Sequence, residues 1–241
     1  MAPNAKTHAV KPDTPKRVTK GDVAVVLASL ERAGSKKVRE EMGPRYGIHT
    51  PDAFGVMMRD MQTIAKDIGK NHDLALALWD TGTYEARMVA AMIDDPAKVT
   101  PAQMDRWCKS FDNWAICDTV CFKLFDRTPH AFDKVVRWAG RREEFVKRAG
   151  FALLASVALH DKKAADDPFL KCLALIEKAA VDERNFVKKG VSWALRGIGK
   201  RNARLQAAAA EVARRLAASD QAAARWIGKD ALKEFGKRTA R

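Results

Sequence analysis

Cysteine is scarce in this chain: four residues in 241, Cys108, Cys117, Cys121 and Cys172. No two of them stand in a Cys-x-x-Cys arrangement and no histidine pair lies close by, so the pattern argues against a zinc site and implies no metal. Cys117 and Cys121 lie one helical turn apart, but a continuous helix would carry Cys108 to its opposite side. The expectation is buried thiols in a reducing cytoplasm. Also missing is any apolar run near the roughly 18 residues that a membrane helix needs, so no membrane partner is implied. The opening MAPNAKTHAVKPDTPKRVTK has no apolar core of the secretory kind. Its lysine, proline and threonine content predicts a disordered basic tail over residues 1–20. Convincing alternation of apolar and polar residues is absent after about residue 21, which argues against strands.

Positive charge is what the chain has in excess. Lys and Arg number 44 against 30 acids, a net of +14. The first twenty residues carry Lys6, Lys11, Lys16, Arg17 and Lys20 against Asp13, so ten of the fourteen excess charges belong to the remainder. Two readings stand at this point: solubility alone, or a polyanionic partner such as nucleic acid. At 47% hydrophobic residues, the length suffices for one sizeable core.

Helix signals fill residues 21–241, which read as a single domain. Thr50-Pro51 is expected to open a helix, and Asn71 and Thr83 to cap the next two. Thr100-Pro101 and Thr128-Pro129 repeat the first signal. REEFVKRAGFALLASVALHD, DPFLKCLALIEKAAV, NFVKKGVSWALRGIGK and NARLQAAAAEVARRLAAS follow, joined by short connectors that force antiparallel neighbours. The helices pair at a period of roughly 35–45 residues, the spacing of HEAT-type repeats. The expected fold is therefore all-α, an α-α superhelix of HEAT-like repeats curved around a basic concave groove, with an irregular bundle as the alternative.

The basic residues cluster. Lys134 to Arg148 holds Lys134, Arg137, Arg141, Arg142, Lys147 and Arg148 against Glu143 and Glu144. Arg184 to Arg204 holds Arg184, Lys188, Lys189, Arg196, Lys200, Arg201 and Arg204 with no acid at all. A groove lined in this way would bind phosphates without reading sequence.

Trp114 and Asp118 stand one turn apart, so they leave the helix on nearly the same face. Arg148 and Trp193 lie on the equivalent helices of the next two pairs, where a solenoid brings distant residues to one wall. Each has an ordinary reading: core rings for the tryptophans, a structural ion pair for Asp118 and Arg148. Together they also describe an aromatic cleft with one carboxylate and one cation. Indoles attract a cationic base or sugar, a carboxylate stabilises an oxocarbenium-like transition state, and an arginine holds phosphate.

Four stretches, LALALWDTGTYEARMVAAMI, FDNWAICDTVC, EEFVKRAGFALL and NFVKKGVSWALRGIGK, resemble segments of the AlkD-like bacterial alkylpurine DNA glycosylases, in that family's order. The likeness covers roughly residues 25–235; Ala115 departs from the polar or aromatic residue that many relatives carry there. The resemblance implies HEAT-like repeats and a monofunctional glycosylase that frees cationic N3- and N7-alkylated purines from double-stranded DNA. It implies a bacterial, nucleoid-associated monomer without cofactor. It makes Asp118 the catalytic carboxylate, with Trp114 and Trp193 against the deoxyribose and Arg148 on the backbone nearby. Lys147, Arg141, Arg142, Lys188, Lys189, Arg196, Lys200 and Arg201 complete the expected DNA-binding set. Such enzymes need not flip the base into a pocket, unlike most enzymes that act on bases. The family also has members without glycosylase activity, so the alternative is a non-catalytic protein that binds damaged or branched DNA.

Overall fold

Helix boundaries follow from cap chemistry in the computed structural model, which describes residues 19–239. The expected tail over residues 1–20 thus lies almost wholly outside the described residues. Thirteen α-helices and one 3₁₀ turn make up the described residues, with no strand among them. They are α1 (Lys20–Ala33), α2 (Lys36–Tyr46), α3 (Met58–Ile68), α4 (His72–Asp80), α5 (Tyr84–Ile93), α6 (Pro101–Lys109) and α7 (Trp114–Lys123). After the 3₁₀ turn at Phe125–Arg127 come α8 (Ala131–Ala139), α9 (Glu144–His160), α10 (Asp166–Ala179), α11 (Asn185–Gly199), α12 (Ala203–Ala217) and α13 (Ala222–Thr239). The side-chain oxygens of Asn71, Thr100, Asn113 and Asn202 each accept the backbone N–H three residues on, at 2.9–3.1 Å. Each thereby satisfies a donor that the helix leaves without a partner. Thr83 also stands at the N-cap of its helix, but without a side-chain bond.

Two starts differ from expectation. Thr50-Pro51 does not open a helix; α3 begins at Met58. The fully buried Glu85 carboxylate captures the backbone N–H groups of Phe54 (3.1 Å), Gly55 (2.8 Å) and Val56 (3.3 Å), holding this stretch as a loop. Gly55 sits at φ +79°, and a Cβ there would lie 2.3 Å from the Ser35 carbonyl, so only glycine fits. Thr128-Pro129 likewise precedes its helix by two residues. The Thr128 hydroxyl donates back to the Phe125 carbonyl at 2.8 Å and closes the 3₁₀ turn instead of capping α8.

Helices α3, α5, α7, α9, α11 and α13 stand in a row, each packed on the next. A second layer backs it: α4 lies on α5, α8 on α9, α10 on α11 and α12 on α13. This is the two-layer stack of a HEAT-like superhelix rather than an irregular bundle. Helix α9 is its axis, buried without interruption from Arg148 to Ala158. Gly150 permits that depth, because a Cβ there would meet the Ala139 nitrogen of α8 at 2.7 Å.

All four cysteines are free and buried. Burial pushes the Cys172 thiol up to about 11, so it stays protonated at neutral pH. No group of three or more His, Cys, Asp or Glu residues is placed to hold a metal ion among the described residues. No described helix is long and apolar enough to cross a membrane.

An ion cluster ties α9 to the connector before α11. Asp182 accepts from Arg184 at 2.6 and 2.9 Å and from Lys147 Nζ at 2.9 Å. The Arg184 bonds, with those of Lys147, hold the Asp182 carboxyl well below its ordinary value of 3.8.

Two stability measurements test this scaffold. Glu85→Ala strips three N–H groups of a charged acceptor, and urea unfolding should show a loss of about 3 kcal/mol; a loss below about 0.5 kcal/mol would mean the carboxylate does not hold the loop. Because Asp182 has a depressed folded pKa, its contribution is complete above 3.8 and disappears as pH falls through the lowered value. Asp182→Asn should therefore cost about 1 kcal/mol at neutral pH, discounted for the 39% exposure of Arg184, and nothing in strong acid. An equal loss at both pH values would contradict the ion-pair account.

Candidate functional site

Arg148 lies one turn inside α9, just where that helix becomes wholly apolar, and is itself only 6% exposed. A guanidinium so deep needs partners for its N–H groups. Asp118 supplies two, accepting from Nε at 2.9 Å and from Nη2 at 2.6 Å, and the Phe186 carbonyl accepts from Nη1 at 2.6 Å. One side chain thus joins α7, α9 and the start of α11. Burial drives the Asp118 pKa above its ordinary 3.8, while the adjoining Arg148 charge and its bonds work against that rise. Burial also opposes the charge on Arg148, but the Asp118 carboxylate more than offsets it and raises the guanidinium pKa. Asp118 keeps 21% of its side chain accessible, so the carboxylate faces solvent although its partner does not.

Two hollows meet at this pair. The larger, about 680 Å³, runs along α9 and α11 to α13; it is walled by Trp193, Leu159 and Trp226 and rimmed by Lys162, Lys189 and Lys200. The smaller, about 530 Å³, is lined by Arg45, Tyr46, Trp114 and Phe186. Asp118, Arg148 and Lys189 belong to both. Trp114 and Trp193 therefore line different lobes that join at the carboxylate. The Trp114 indole N–H donates to the Tyr46 carbonyl at 2.8 Å, which fixes its ring.

The expected DNA-binding residues divide sharply. Lys189 is exposed in both lobes, and Arg196 and Lys200 line the larger one. Arg196 Nε lies 3.3 Å from Asp230, and Lys200 Nζ 2.6 Å from Glu234. Lys188 sits over the Trp226 ring, 5.0 Å from its centroid. Other residues serve elsewhere. Arg201 donates to the carbonyls of Ala158, Asp161 and Ala164 at 2.7–3.0 Å and stacks 4.1 Å over Phe169, which makes it a clamp on the α9–α10 connector. Lys147 is spent on Asp182. Arg141 lines a separate hollow with Lys109 and Arg137, and Arg142 is exposed outside both lobes. Arg148, expected on the DNA backbone, commits three of its five N–H groups to protein acceptors.

Sequence reading missed Trp226 and Asp230, although their spacing repeats that of Trp114 and Asp118. Both line the larger lobe from α13. Asp230 Oδ2 accepts from the Ser192 hydroxyl at 2.6 Å and faces Arg196, so this carboxylate also leans on an arginine of the neighbouring helix.

Comparison with known proteins agrees with this architecture. No curated protein matches the chain. A solved structure from a new family of proteins related to the HEAT-like repeat DNA glycosylases with affinity for branched DNA structures superposes with a TM-score of 0.72. It is 22% identical, over 88% of this chain and 94% of its own. The family model for the DNA alkylation repair enzyme matches residues 26–235. That match spans every residue lining the two lobes, and the chain belongs to the DNA alkylation repair enzyme family.

Proposed function

We propose that the chain is a DNA glycosylase that hydrolyses the N-glycosidic bond of cationic N3- and N7-alkylated purines in double-stranded DNA. The observation that carries this reading is Asp118: a carboxylate open to a cleft, held by a buried guanidinium, at the junction of hollows walled by Trp114 and Trp193. An alkylpurine that is already positively charged leaves without a general acid. What remains is stabilising the sugar as it turns cationic. A fixed carboxylate does this by charge, and indole faces add cation–π attraction. Each Asp118 oxygen accepts one N–H from Arg148, which leaves further lone pairs for orienting the attacking water. Arg148 then acts as a positioning residue that keeps the carboxylate ionised and aimed. Lys189 and Lys162, with no acid partner among the described residues, are the cations best placed for phosphates.

A second reading has a specific observation behind it. Arg148 engages both oxygens of Asp118, as a structural pair would, and the similar solved structure comes from a family with affinity for branched DNA. A non-catalytic protein that binds damaged or branched DNA fits those facts.

Release of 7-methylguanine from methylated duplex DNA separates the two. Asp118→Asn should cut the single-turnover rate by about 10²–10³-fold with little change in DNA affinity. Since burial raises the Asp118 pKa above 3.8, and the ionised form is the active one, activity should fall on acidification through a pKa above that value. No release by the wild type, or equal release by Asp118→Asn, would leave only the binding reading.

A further inference from the structure

The larger lobe contains a second Trp-x-x-x-Asp face that the proposed chemistry leaves unused. Trp226 and Asp230 are one turn apart on α13, and both line the cleft that reaches Asp118. Trp226 is 40% exposed, unusual for so large an apolar ring, and its indole N–H has no protein acceptor among the described residues. Leu159, 48% exposed, lines the same lobe from α9, together with Ala155, Ala158 and Gly197. Small and apolar side chains thus share this lobe with the ring. Its cations are Lys188, already over the ring, and Lys162 and Lys189 at the rim.

Asp230 adds direction to that lobe. Its Oδ2 takes the Ser192 hydroxyl at 2.6 Å and Arg196 at 3.3 Å, whereas Oδ1 has no partner among the described residues. The carboxylate is thereby fixed with one oxygen to offer. An acceptor beside an aromatic platform, ringed by lysines, suits a planar group that carries N–H donors and is tethered to phosphate. A further cationic base does not suit it, because the Lys188 ammonium, 5.0 Å from the ring centroid, would repel it.

We propose that Trp226 and Asp230 form a subsite for one unpaired nucleobase of the bound DNA, selective for bases with an exocyclic amino group. Trp226 stacks on the base, Asp230 Oδ1 accepts from the amino group, and Lys162 and Lys189 take the flanking phosphates. Thymine, which lacks that donor, binds less well. The subsite rests on the DNA-binding reading above but not on catalysis at Asp118.

The test compares a continuous duplex with duplexes bearing a single bulged cytosine or a single bulged thymine, using the full chain at fixed salt. Stacking and one charge-assisted bond predict that the cytosine bulge binds about 10-fold or more tighter than the continuous duplex. The thymine bulge should fall between them. Trp226→Ala should bring both bulge preferences to about one, and Trp226→Phe should keep most of them. Asp230→Ala, which removes the acceptor, should abolish only the distinction between cytosine and thymine. Wild-type binding with no bulge preference, or a preference that survives Trp226→Ala, overturns the subsite. Competition by free cytosine at equal concentration would show a site for loose bases and overturn it as well. Failure to bind any duplex would sink the DNA-binding reading together with the subsite. Loss of base release in Asp118→Asn with the bulge preference intact would support the subsite independently of the chemistry.

Discussion

The bond between Arg148 and Asp118 sets the geometry on which the rest of the site depends. A guanidinium inside the apolar axis of the fold is tolerable only with its N–H groups satisfied, and three acceptor oxygens from two neighbouring helices contribute to that. The arginine cannot swing out, because the residues after it on α9 are buried through Ala158 and fix the rotation of the helix. Asp118 is therefore held at a set depth and angle, with its charge balanced from behind and its open side toward the cleft. Binding energy from the scaffold becomes orientation of one carboxylate.

The same device recurs along the row of helices. Asp230 on α13 leans on Arg196 and Ser192 of α11, and Asp182 gathers Lys147 and Arg184 beside the start of that helix. Buried Asp94 binds His72 and Gln103 at 2.6 and 2.7 Å, and buried Glu85 ties a loop to α5. Each joins elements that the apolar core alone would leave free to slide. Consequently much of the positive charge is internal mortar. Arg148, Arg201 and Lys147 all serve the fold, and a smaller group, Lys162, Lys188 and Lys189, stands over or beside the cleft.

The six tryptophans divide in a similar way. Trp79 and Trp107 stack face to face at 3.9 Å in the core, and Trp138 is buried with its N–H on Asp105. Trp114, Trp193 and Trp226 line the two lobes. Helical spacing treats all six alike; the difference is whether another layer covers the ring. Trp107 and Trp138, on α6 and α8, lie within the stacked layers, whereas the rings of α7, α11 and α13 open onto the two hollows.

Sequence alone determined the all-helical class, the paired helices and the caps at Asn71 and Thr100, because these follow from local periodicity and from oxygens placed beside unpaired N–H groups. It also determined that Trp114 and Asp118 share a face, since one helical turn requires it. Tertiary structure decided the rest. Glu85, thirty residues away from Gly55, kept Thr50-Pro51 from starting a helix. Long-range partners placed Arg148 against Asp118 and Phe186, and made Arg201 a clamp on the α9–α10 connector. Only the approach of α13 to α11 brought Trp226 and Asp230 into the same cleft. A charge or a ring carries its chemistry in the sequence, but whether it faces water, a ligand or another residue depends on what folds over it.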